Sequence, residues 1–215
     1  MSKPARQLPR NLAITAALRI EVASLVWVGV EAVVGPALAA MTNSLAMSAF
    51  SFDSGVEFIS GLVVLSRIWR EFQVGHGEEV RRLERFSSAI VAACLFALAL
   101  YISFKSGQAL ATRSLPVPST WAILLALTSC IITPYLAMRK HRLGCLLHSH
   151  ALIGDAACGF TCAYMAFTLL FGLLVERWFG WWWMDPVAAV GILYFVIEEA
   201  MESAKAALTG EAHQH

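Results

Sequence analysis

The sequence predicts an all-α membrane protein of six transmembrane helices, on three observations. Apolar residues make up 58% of the 215 and the mean hydropathy is +0.65, more apolar than a soluble domain. Apolar runs of roughly 20 residues, the length that crosses a hydrocarbon core, recur six times. Lys and Arg concentrate in alternate connections between those runs.

The runs are read at 17–39, 44–66, 86–108, 119–138, 147–174 and 184–205. The first starts too far in, is too long and lacks a small-residue cleavage site, so it is expected as a retained anchor rather than a signal peptide. The second holds only Asp53 and Glu57 among charged residues. Between the third and fourth, Ser114 to Ser119 with two prolines reads as an outer turn. The sixth follows a tryptophan run, Trp181-Trp182-Trp183, which with Trp178 reads as an interfacial aromatic belt. The expected organisation is a cytoplasmic N-terminal segment (1–16), one transmembrane domain (17–205) and a short cytoplasmic tail (206–215). Short connections make neighbouring helices antiparallel, and a tail of roughly 10 residues builds no core of its own.

Orientation follows from the cationic side chains, which stay cytoplasmic during insertion. One set of segments holds Lys3, Arg6, Arg10, Arg67, Arg70, Arg81, Arg82, Arg85, Arg139, Lys140, Arg142 and Lys205; the other holds Lys105, Arg113 and Arg177. Both termini are therefore expected in the cytoplasm. The net charge of +1 creates no field that would gather nucleic acid. Five cysteines, with Cys94, Cys130, Cys158 and Cys162 inside spans and Cys145 near a span end, do not form a disulfide framework. No phosphate-binding glycine loop, nucleophile elbow or zinc-protease motif is present, so the chain shows no enzymatic machinery.

Function then rests on ionisable groups at membrane depth, each costing a few kcal/mol unless paired or bound. Asp53 and Glu57 stand at i and i+4 near the middle of helix two, stacked on one face. A divalent cation, an exchanging proton, or hydrogen bonds to neighbouring helices from neutral acids would each relieve their repulsion. Helix five carries Cys158 and Cys162, again i and i+4, with Asp155 one turn earlier. Thiolate and carboxylate together suit zinc and softer divalent ions. Helices two and five run in opposite directions, so if they are neighbours these five residues meet midway across the membrane, where alternating-access carriers bind their cargo. Gly55, Gly61, Gly154 and Gly159 are expected to let the two helices approach.

Other polar residues read as structural. Glu31 in helix one either serves a proton path or pairs with a neighbouring helix. His148 and His150 do not share a helix face and read as interfacial, as do Glu198, Glu199 and the stretch Glu202 to Lys205. The tract Glu71 to Arg85 around His76 reads as a salt-paired connector, and His213 and His215 as terminal groups able to gather metal weakly.

The helix-two and helix-five residues make the chain resemble the cation diffusion facilitator family, which has six transmembrane helices and a metal site shared by helices two and five. The family's acidic pair in helix two falls on Asp53 and Glu57. Its helix-five pair, His or Asp followed four residues later by Asp, falls on Ala151 and Asp155, leaving Cys158 as the candidate to replace the missing ligand. Trp27, Glu31, Asp53-Ser54, Ser60-Gly61, Cys162-Ala163-Tyr164 and Trp181 to Pro186 are similar to a short, bacterial-type branch without the family's C-terminal cytoplasmic domain. The resemblance implies proton-coupled efflux of a divalent metal, zinc first, as transported substrate rather than cofactor. It also implies a bacterial inner-membrane location and a homodimer formed through the transmembrane helices. A membrane scaffold or sensor fixed by its buried acids, and a passive metal or proton channel, are the competing expectations.

Overall fold

The computed structural model describes residues 10–73, 78–112, 117, 119–147 and 149–209. Six helices follow in chain order: α1 (Arg10–Thr42), α2 (Leu45–Gln73), α3 (Glu78–Thr112), α4 (Thr120–Leu147), α5 (His150–Phe179) and α6 (Met184–Thr209). All six expected spans are present, and each helix overruns its apolar run because a helix continues past the bilayer until a turn stops it. Among the described residues, five of these are long and apolar enough to cross a membrane. At 26 residues α6 is about 39 Å long, enough to cross a bilayer, but it carries Asp185, Glu198, Glu199, Glu202 and Lys205.

The most extensive packing pairs α3 with α6, α4 with α5, and α1 with α2. α2 also touches α3, α5 and α6, so it sits centrally and lies beside α5 as its midplane residues require. The main core runs from Leu38, Met47 and Phe50 through Leu95, Ile102 and Ala126 to Met165, Leu169, Ile192 and Val196. Large apolar side chains also face outward, among them Val33, Leu100, Trp121, Ile131 and Trp178. An apolar exterior around an apolar interior suits a protein whose solvent is lipid.

The turns have identifiable causes. Asn43 adopts a positive φ of 52° between α1 and α2. Ser44 caps α2 by accepting a hydrogen bond from the Met47 N–H at 3.1 Å, and Asp185 from the start of α6 accepts from the Leu45 N–H at 2.7 Å and from the Ser44 hydroxyl. Gly180, at φ 64°, ends α5 with its N–H on the Glu176 carbonyl at 2.8 Å. Trp181 and Trp183 stack in the turn that follows. Pro36 and Pro134 lie inside α1 and α4, where membrane helices tolerate them.

Two expectations are corrected. Arg139, Lys140 and Arg142 do not lie in a connection: α4 continues through them to Leu147, and Lys140 turns into the bundle. Two of the four glycines expected to bring α2 and α5 together face other helices instead. A side chain at Gly61 would meet Leu25 of α1, and one at Gly159 would meet Ala137 of α4, so they serve the α1–α2 and α4–α5 crossings. The N-terminal segment 1–9, His76, residues 113–116 and 118, His148 and the tail from 210 lie outside the described residues, as do the side chains of the 71–85 tract and of His150 and Ala151.

Candidate metal centre

One helical turn separates Asp53 from Glu57, so α2 presents both carboxylates on the face it turns toward α5. Cys162 comes from α5 to meet them. One ligand atom from each of the three lies within 4.8 Å of the others. Asp53 is 3% exposed and Cys162 1% exposed, while Glu57 is half-buried. The Glu57 Oε2 atom is buried without a hydrogen-bond partner among the described residues. A buried, unpartnered carboxylate oxygen beside a second carboxylate and a thiol offers the donor set that a divalent ion takes. Tetrahedral bonds of 2.0–2.3 Å hold ligand atoms roughly 3.3–3.8 Å apart, so closing the group on an ion requires a contraction of about 1.5 Å at most. Side-chain rotation supplies that.

Glu31 lies next to this group and is completely buried. The Ser129 hydroxyl of α4 donates to its Oε1 and the Ser54 hydroxyl of α2 to its Oε2, the latter at 3.3 Å. Since Ser54 follows Asp53, this network fixes the backbone of the site, and the charges of Glu31 and Glu57 act on one another. Glu31 thus pairs with two neighbouring helices and remains close to the metal group.

The other helix-five residues go elsewhere. Cys158, half-buried, lies beside Glu199 of α6 and outside the Asp53–Glu57–Cys162 group. Glu199 also acts electrostatically on Asp53, so it belongs beside the site and not at an interface, as the sequence led us to expect; Glu198 next to it is exposed. Asp155 is paired with Lys140 of α4, whose Nζ lies 3.2 Å from Oε2 of Glu21 on α1. All five cysteines are free thiols. Of the five residues expected as metal ligands, three converge and two hold partners at the periphery.

Sequence reasoning missed Glu21, Lys140 and Glu199. The signal for Lys140 was available: Ser129, Cys130, Thr133, Leu136, Ala137, Lys140 and Gly144 continue one buried stripe at three- and four-residue spacing. Ala17, Glu21, Leu25, Val28 and Glu31 form the matching stripe on α1.

Comparison with known families adds an independent line. A family model described as the cation efflux transmembrane domain matches residues 22–209, which contain every residue of the metal group and of its surroundings except Glu21. Six helices, a multi-pass apolar exterior and buried acids at mid-depth fit a family of transporters, and the extent of that match makes the chain a member of the cation diffusion facilitator family, an integral membrane cation transporter.

Proposed function

We propose that the protein is a secondary-active carrier that exports a divalent transition metal, zinc or a softer ion such as cadmium, from the cytoplasm in exchange for protons. The observation that carries this reading is the approach of Asp53, Glu57 and Cys162 ligand atoms to within 4.8 Å of one another on two helices of opposite direction. Two carboxylates match the charge of a divalent ion, and a thiolate favours zinc and cadmium over magnesium and manganese, which prefer oxygen alone. Carboxylates and thiols release protons when metal binds and regain them when it leaves, so one set of ligands serves both ions. The Lys and Arg distribution supports placing the end that carries Arg139 and Arg142 in the cytoplasm. Rocking of α2 against α5 would expose the midplane site to one side and then the other.

The test uses purified protein in sealed vesicles with an imposed pH gradient and offers zinc, cadmium, cobalt, manganese, nickel, iron and mercury in turn. The expected result is saturable zinc or cadmium flux that depends on the gradient. No flux for any of these ions refutes the reading, and flux that neither saturates nor responds to the gradient identifies a channel.

A further inference from the structure

Four helices direct charge at one buried point beside the metal group. Lys140 of α4 is only 4% exposed, Glu21 of α1 is fully buried, and Asp155 of α5 is 8% exposed. The ammonium is bonded to the Asp155 Oδ2 and stands 3.2 Å from the Glu21 Oε2. Its charge and that of Asp155 also reach Glu57 of α2. The ammonium therefore stands between the two carboxylates, with its hydrogen bond to Asp155 and its ion pair to Glu21.

This arrangement divides the acids beside α5 into two groups. Asp53 and Glu57 carry the two negative charges a divalent ion needs, with Cys162 beside them. Asp155, three residues before Cys158 and nearly on its face, is neutralised by a cation that the protein itself provides. Because Lys140 is covalently attached, its local concentration at Asp155 does not fall, and a mobile ion can recruit that carboxylate only by displacing the ammonium. We propose that Lys140 is a tethered counter-cation that keeps Asp155 out of the ligand set and thereby sets the affinity of the site for divalent metal. It is a positioning residue acting through Asp155. Its effect is to weaken cargo binding, as release from a buried thiolate and two carboxylates requires.

The inference rests on Asp53, Glu57 and Cys162 being the metal site. It is tested by calorimetric titration of zinc into the purified full chain in detergent, with helicity and monodispersity checked for each variant. Lys140→Met combined with Glu21→Gln removes the ammonium without leaving Glu21 as an unpaired charge, and is expected to bind zinc about tenfold tighter or more. Adding Asp155→Asn to that pair should abolish the gain. A residue that merely pinned helices together would never raise affinity when removed, so equal or weaker binding by the folded pair overturns the proposal, as does a gain that survives Asp155→Asn. If the pair does not fold, Lys140→Gln keeps a hydrogen-bond donor to Asp155 without the charge, and a gain of about threefold is expected from it; none overturns the proposal. Asp53→Ala, made in the wild-type and paired backgrounds, separates the two readings. Binding that ignores Asp53→Ala faults the metal site itself, whereas binding lost with Asp53 but unchanged by Lys140 faults only the counter-cation.

Discussion

Replacing Cys162 by serine removes one of the three proposed ligands and is the sharpest probe of metal choice. The serine oxygen sits closer to its Cβ than sulfur does and does not ionise as a thiol can, so the site loses both reach and a negative charge. Cys162 is 1% exposed, and water cannot readily take the place of the lost ligand without entering a packed interior. Disturbing a partner that merely orients a ligand costs 10–100-fold in metal affinity, so loss of the ligand itself is set at about a hundredfold or more, or about 2.7 kcal/mol, for zinc and cadmium. Manganese, which draws little from sulfur, should lose about threefold or less. Cys158→Ser should have the smaller effect on zinc, because Cys158 faces Glu199 and lies outside the converging group. The assay is calorimetric titration of each metal, followed by vesicle flux for the same variants. Zinc and cadmium affinities of Cys162→Ser within about twofold of the wild type would show that the sulfur does not coordinate, leaving a harder oxygen site on α2.

Two further outcomes are expected. Asp53→Ala and Glu57→Ala should each reduce transport to background while the protein still inserts and remains monodisperse, with Glu57→Asp milder because it keeps the charge; normal flux from both alanine variants would place the site elsewhere. Asp185→Ala should lower stability by about 1–3 kcal/mol, since the carboxylate accepts from the Ser44 hydroxyl and the Leu45 N–H, and a thermal melt in detergent that does not shift would refute the capping role.

Much of this was legible before any coordinates. Six runs of membrane length gave the helices, and two acids four residues apart in an otherwise apolar run gave the α2 half of the converging group, because nothing but a shared face makes that spacing informative. Cys162 was reachable by the same argument on α5. The failures have a common physical origin. Arg139, Lys140 and Arg142 look alike as a basic cluster, yet helical rotation exposes Arg139 and Arg142 and buries the lysine between them. Glu198 and Glu199 are neighbours of identical chemistry, and only the rotation of α6 against α2 and α5 decides that the second reaches the site. Asp155 was rightly marked as a buried acid, but its partner comes from a helix whose register against α5 is a tertiary fact.

The Asp185 contact has a mechanical consequence. One carboxylate at the first turn of α6 accepts from the backbone at the first turn of α2, so the two helices share a clasp at the end farthest from Lys140. With α1 packed along α2 and α3 along α6, a tilt of α2 at that end would carry α1, α6 and α3 along with it. The moving part would then be a four-helix lever, and Glu199, fixed on α6, would travel with Asp53 and Glu57 while Cys158 and Cys162 stayed behind on α5. Each stroke would shear the acids past the thiols, stretching the very distances on which the grip on a metal ion depends.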